Sequence, residues 1–271
     1  MINNLEEKQL QIINPNGRLL TVAHRGDWIN NPENSLSAFQ SCIDMGIDIV
    51  ELDVHKTKDG HLVVMHDSSV ARTTNGTGQI SELTLVQIKA LRLKENSGGI
   101  TAKLTNEKVP TLMEVMYTVK GKVLANIDKG WQDREQVYDV LKVTNTIDQT
   151  IIKSGANNQE VESYFFNKDI KPYYCAVFTD DNIDYLDGLL NGMKPQIIEL
   201  LFQSDKNSIF SKDILLKVKG NTRIWVNTMW GSLCGDKTDD EIGWQTFIDE
   251  GINIIQTDNL KTILSYIKNN R

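Results

Sequence analysis

Eight short apolar runs, most of them separated by helical patterns, predict an α/β chain of the (β/α)8 TIM-barrel class over 271 residues. The runs occupy residues 20 to 24, 48 to 54, 122 to 128, 150 to 153, 173 to 178, 196 to 201, 222 to 228 and 253 to 257. The length agrees, since eight βα units take about 250 residues. No Gly-x-Gly-x-x-Gly follows the first run, which removes the main reason to prefer a doubly wound open sheet, the runner-up. Residues 1–271 therefore read as a single domain, with a small insertion after the second strand at about 55–110.

The elements justify that reading in turn. After a polar lead-in closed by Asn14-Pro15-Asn16-Gly17, Leu19 to Ala23 reads as a buried strand ending at His24-Arg25-Gly26. Asn31-Pro32-Glu33-Asn34-Ser35 gives a loop and a helix start, and Leu36, Phe39, Cys42 and Ile43 give the apolar stripe as far as Gly46. Ile47 to Val54 follows at once, so the unit is β-α-β and parallel. Lys58-Asp59-Gly60-His61 signals a hairpin, and Leu62 to Met65 returns too soon for a crossover helix. From Thr73 to Lys108 the chain is rich in turns, with one short amphipathic helix marked by Leu85, Ile88 and Leu91. Pro110-Thr111-Leu112 then opens a helix through Met113, Val115 and Met116, and regular alternation resumes.

The net charge of -7, with both signs interspersed, offers no basic patch for nucleic acid. An anionic substrate then needs local cations, from Arg, Lys or a bound metal. Cys42, Cys175 and Cys234 are too few and too scattered for a disulfide framework. No apolar run is long enough to span a bilayer. Met1 to Gln11 has no signal-peptide core, which implies the cytoplasm if the chain is complete; a periplasmic or secreted chain stripped of its leader reads the same. The oligomeric state is not legible.

The chemistry centres on Val50-Glu51-Leu52-Asp53-Val54. As a strand, this stretch puts its apolar side chains on one face and both carboxylates on the other. The apolar run before it argues for burial, where paired carboxylates need a cation or a shared proton. In a barrel the strand ends gather His24, Arg25, Glu51, Asp53, Asn126, Asp128, Lys153, Glu199, Asn227 and Asp258 around one mouth. Oxygen donors with few histidines suit one hard divalent cation, Ca2+ or Mg2+, rather than zinc. His24 and His66 are then left to exchange protons, and Arg25 and a lysine to clamp an anion. Such a set suits displacement at phosphorus.

The sequence resembles the glycerophosphodiester phosphodiesterase family through most of its length. The resemblance is carried by His24-Arg25-Gly26, Pro32-Glu33-Asn34-Ser35 with Ala38-Phe39, Glu51-Leu52-Asp53-Val54, Thr57-Lys58-Asp59-Gly60 and Val64-Met65-His66-Asp67. Arg72 to Gly76, Pro110-Thr111-Leu112 and Gly251-Ile252 with Thr257-Asp258 extend it. The resemblance implies a TIM barrel that hydrolyses a small glycerophosphodiester to glycerol 3-phosphate and an alcohol. It also implies a divalent metal on Glu51, Asp53 and a third acid, with His24 and His66 as the general acid/base pair.

The third barrel strand departs from the family's usual Glu-x-Lys, reading Asn126-Ile127-Asp128-Lys129. Strand parity puts Asn126 and Asp128 on one face and Lys129 on the other, unless a bulge intervenes. Asp128 is assigned as the third metal ligand, with Asn126 left as the alternative, and Lys153 as the source of the displaced positive charge. Glu199 and Trp225 are substrate-contact candidates, with Met229 and Trp230 beside them as pocket residues. His55 and His61, by a polar hairpin, read as solvated, and the glycine-bracketed loop 230–236 reads as a mobile cover. Two alternatives remain: a phospholipase D-like or phosphoinositide-type lipase on the same barrel, and a catalytically silent barrel that binds a phosphorylated ligand.

Overall fold

The computed structural model describes residues 4–204, 206–229, 235 and 238–270. Among them nine strands form: β1 (Leu20–Ala23), β2 (Ile49–Lys56), β3 (Leu62–Val64), β4 (Leu124–Asp128), β5 (Thr150–Ser154), β6 (Tyr173–Phe178), β7 (Ile197–Leu200), β8 (Arg223–Asn227) and β9 (Ile254–Thr257). Eight of these alternate with helices as in a (β/α)8 barrel, and β3 is the extra, antiparallel strand. Each predicted run becomes a strand, to within two residues at either end. The loop expected as a cover, Trp230 among its residues, lies outside the described residues apart from Gly235.

The chain divides into two compact units, residues 23–150 and residues 1–22 with 151–271. In the first, β2 and β4 run parallel with Glu51 opposite Asn126 and Asp53 opposite Asp128. Paired residues of parallel strands point the same way, so those four side chains share one face. Helix Leu36–Met45 packs Ala38, Phe39 and Cys42 inward; the Ser35 hydroxyl caps its start by accepting from the Ala38 N–H, and Gly46, at φ 83°, ends it. Helix Leu112–Val119 begins with Thr111 and Glu114 capping each other's backbone N–H groups.

The insertion has a core of its own. Val63, Met65, Val70, Ile80, Ile88, Leu93 and Val109 are all buried together, with Leu83, Leu85 and Leu91 packed against them. Helix Leu85–Ala90, capped by Thr84 and Gln87, supplies Ile88 to this cluster. The stretch read from sequence as turn-rich is thus a packed appendage, and it holds Arg72 and Asp67 in place.

In the second unit β5 to β9 run parallel in chain order. The lead-in contains an unexpected helix, Asn4–Ile12, which buries Leu5, Lys8 and Ile12. Its apolar stripe passes through Lys8, whose methylene stem counts as apolar surface although its head does not, so hydropathy alone misses it. Arg223, wholly buried at the start of β8, donates to the carbonyls of Asn14 at 3.1 Å and of Arg18 and Asn253 at 2.7 Å, tying the lead-in down.

Replacing Ile88 by Ala should cost about 2–5 kcal/mol in denaturant unfolding, the usual range for emptying a core position. A loss within about 0.5 kcal/mol, as for surface changes, would show that the insertion's cluster contributes nothing to the folded state.

Candidate active site

Glu51, Asp53 and Asp128 each bring a carboxylate oxygen within 4.8 Å of the others. The first two are buried and the third half-buried. Such proximity needs compensating donors, and the chain supplies them from two loops, residues 24–35 and the turn after β4. The Arg25 N–H donates to Glu51 Oε2 at 2.8 Å. The Asn34 amide donates to Asp53 Oδ2 at 3.0 Å, and its oxygen accepts from the Asp53 N–H at 3.4 Å. The Lys129 ammonium pairs with Asp53 Oδ1 at 2.8 Å, and the Arg25 guanidinium stands 3.7 Å from Asp53 Oδ2. Burial pushes the Asp53 carboxyl up; Lys129, His66 and Arg25 together outweigh it and hold the group below the usual range.

Local backbone makes these donors possible. Arg25, Asn34 and Lys129 adopt left-handed φ of 54°, 57° and 58°, which is uncommon for residues with a Cβ and for Arg and Lys more so than for Asn. Gly26 follows Arg25 at φ 77°, and a Cβ there would lie 2.8 Å from the Ala38 Cβ. Only glycine fits. The turn at Lys129 corrects the expectation from strand parity: β4 ends at Asp128, the next residue leaves the extended region, and the lysine swings back onto Asp53. Lys129 thus supplies a positive charge beside the acids; Lys153, to which the sequence assigned that charge, belongs to the second unit.

His24 is buried, and His66 is half-exposed at the end of the hairpin. His66 Nδ1 lies 2.8 Å from Asp67 Oδ1, and Asp67 is gripped by Arg72 through Nε at 2.7 Å and Nη2 at 2.9 Å. The same guanidinium reaches buried Glu33 at 2.6 and 2.8 Å, and Glu33 in turn faces Arg25 Nη1 at 3.3 Å. A continuous chain of a hydrogen bond and ion pairs thus joins His66 to Arg25. Hydrogen bonding from Arg72 keeps the Asp67 carboxyl well below its ordinary range, so it is ionised and only accepts. The imidazole must therefore donate from Nδ1, leaving Nε2 as the acceptor. Burial, with Arg25 and Lys129 nearby, lowers the His66 value against the pull of Asp53 and Asp67. It is neutral near pH 7.

The His66 carbonyl is fixed as well, accepting from Lys129 Nζ at 2.7 Å and from His55 Nε2 at 3.1 Å. Sequence reading left His55 in solvent and gave Glu33, Asn34 and Arg72 no role beyond their motifs. A visible signal was that Pro32-Glu33-Asn34 puts an acid and a turn-forming amide together just before a helix cap. Nothing in the sequence shows that Arg72 reaches back 39 residues to Glu33.

The remaining candidates belong to the second unit and form their own group. Lys153 Nζ pairs with Glu199 at 3.2 Å and lies 5.5 Å from the Trp225 ring centroid. Glu199 Oε1 accepts from the Asn227 amide at 2.7 Å, and Asn227 Oδ1 accepts from the Trp225 indole N–H at 2.9 Å. All four are buried.

Arg72→Met, which leaves Glu33 and Asp67 without their main partner, should lower stability by about 3 kcal/mol at pH 7 in chemical denaturation. Because Asp67 is held below its unfolded value of about 3.9, its part of that stability is complete above about pH 5 and fades as pH falls below 4. The gap between parent and variant should narrow over that range; a constant gap would remove the charge pairing as its cause.

A sequence profile of the glycerophosphoryl diester phosphodiesterase family matches residues 24–173, and a profile described only as a domain of unknown function matches residues 174–267. A glycerophosphodiester phosphodiesterase from Caldanaerobacter subterraneus is 46% identical over 112 residues, covering 41% of this chain and 45% of the relative. Matched stretches span about half the length of the curated relatives, 45% and 50% in two cases. A glycerophosphoryl diester phosphodiesterase structure from Parabacteroides distasonis superposes with a TM-score of 0.76 at 21% identity, covering 99% of this chain and 93% of that one. A phosphodiesterase from Oleispira antarctica, solved with the product sn-glycerol-3-phosphate, superposes with a TM-score of 0.70 at 20% identity over 92% of this chain and 96% of the other. Those two likenesses establish the barrel fold. With more than half of its length matched by the family profile, this chain belongs to the glycerophosphoryl diester phosphodiesterase family.

Proposed function

We propose that the chain hydrolyses glycerophosphodiesters to glycerol 3-phosphate and an alcohol. The observation that carries this reading is the gathering of Glu51, Asp53 and Asp128 in the unit that also holds His24, His66 and Arg25. Family membership and the product named for the Oleispira antarctica structure support it.

Three carboxylates closer than 5 Å form an all-oxygen donor set, which fits a hard divalent ion, Ca2+ or Mg2+. When bound, that ion offsets charge on the nonbridging phosphate oxygens. Arg25 and Lys129, both already beside Asp53, add cationic hydrogen bonds to the same oxygens. His66, neutral with Nε2 accepting, takes the proton of the nucleophile, and His24 protonates the departing alkoxide. Water or the glycerol 2-hydroxyl serves as the nucleophile. Lys153, Glu199 and Trp225, at or near the C-terminal ends of β5, β7 and β8, are assigned as substrate contacts because barrel enzymes read their substrates at those ends.

His24→Ala and His66→Ala should each lower kcat by roughly 10²- to 10⁴-fold without loss of fold by circular dichroism. Near-normal turnover in both variants would end the acid/base assignment. Because burial lowers the His66 value, the acidic limb of the kcat/KM profile, which reports protonation of the base, should lie below the ordinary histidine value; an acidic limb above it would contradict His66 as the base.

Glycerophosphocholine and an intact phospholipid, each assayed with and without EDTA, separate the rival readings. Cleavage of the first alone, abolished by EDTA and restored by added divalent cation, is expected. Preferential attack on the phospholipid would make the protein a lipase, and tight phosphodiester binding without product would make it a silent binder.

A further inference from the structure

Asn126 lies in the middle of β4, directly opposite Glu51 and two residues before Asp128, on the face that carries the carboxylates. It is wholly buried, and neither its amide oxygen nor its amide nitrogen meets a hydrogen-bond partner. Three of the other buried amides are treated differently, whereas the Gln256 Oε1 also lacks a partner. Gln149 donates to the Val119 and Val123 carbonyls at 3.0 and 2.7 Å and accepts from the Gly121 N–H at 2.8 Å. Asn34 and Asn227 are each bonded at both ends of the amide. Among the described residues, Asn126 is the amide whose oxygen and nitrogen are both fully buried and unpartnered.

An unpaired buried amide costs free energy comparable to a lost hydrogen bond, so its retention asks for a partner that the protein does not itself provide. An apolar residue of the same size would remove that cost. The geometry points to Asn126 as an additional oxygen donor to the divalent cation assigned to Glu51, Asp53 and Asp128. Ca2+ and Mg2+ take six or more oxygens, and amide carbonyls are among those they accept. A neutral oxygen suits this place, because another carboxylate on the same face would add to the repulsion among the acids already there. This inference rests on the cation reading above and extends it to a residue outside the carboxylate set.

The test is calorimetric titration of the full chain with CaCl2 and with MgCl2, together with its melting temperature in EDTA, for the parent and for Asn126→Leu, Asn126→Asp and Asp128→Asn. Asn126→Leu should melt in EDTA at or above the parent temperature, since it deletes an unsatisfied amide, and should bind the cation about 10-fold or more weakly. Asn126→Asp keeps the oxygen and should bind at least as tightly as the parent. Should Asn126→Leu fail to fold, this variant still decides, because weakened binding by Asn126→Asp overturns oxygen ligation. Parental affinity in Asn126→Leu also overturns the inference, whether its melting temperature falls or not. Loss of binding in Asp128→Asn alone would then leave the carboxylate site standing without Asn126. No cation bound by the parent, or parental binding by Asp128→Asn and Asn126→Leu alike, would remove the cation reading itself.

Discussion

Three carboxylates held within 4.8 Å of one another at the ends of adjacent strands are the constraint on which the first unit depends. The β2/β4 register enforces the approach, because Asp53 sits opposite Asp128 and the side-chain period of two keeps Glu51 on the same face. Left to themselves in a buried setting, such groups would raise one another's pKa values and take up protons. Donors bent inward from two loops prevent that at Asp53. Each of Arg25, Asn34 and Lys129 reaches the carboxylates from a left-handed backbone, at a cost on the order of 1 kcal/mol where the residue is not Asn or Gly. Strain gathered around one group of side chains marks where the fold gives up stability for chemistry.

The chain of contacts from His66, hydrogen-bonded to Asp67, through the ion pairs of Arg72 and Glu33 to Arg25 links those side chains to the insertion. Arg72 belongs to the segment packed on the cluster of Ile80, Ile88 and Leu93, so a hydrophobic core outside the barrel strands sets the tautomer of the histidine at the hairpin's end. The insertion is thereby a positioning device for His66. Its carbonyl, held by Lys129 and His55, fixes the backbone at the same point.

Most of the fold was legible because apolar runs and caps report local physics: Ser35, Thr111 and Gly46 mark helix ends where the structure has them. The acids were legible because alternation within Val50 to Val54 survives as a strand. Two features were not. Lys129 defeated parity because it lies just past the end of β4 at a φ of 58°, where the alternation of an extended strand no longer sets the side-chain direction. The helix Asn4–Ile12 hid because a lysine stem fills a buried position. Long-range pairings such as Arg72 with Glu33 have no sequence signal at all, since they depend on how the insertion packs. Within the second unit, Lys153 and Glu199 do meet, although their spacing of 46 residues carried no hint of it.

The account stands or falls on whether these acids hold a cation. Crystals of the full chain soaked in MnCl2, with anomalous scattering recorded at the manganese edge, give the most direct answer. A single strong peak within about 2.0–2.6 Å of oxygens from Glu51, Asp53 and Asp128 is expected. An empty hollow between those carboxylates, or manganese bound only elsewhere, would contradict it.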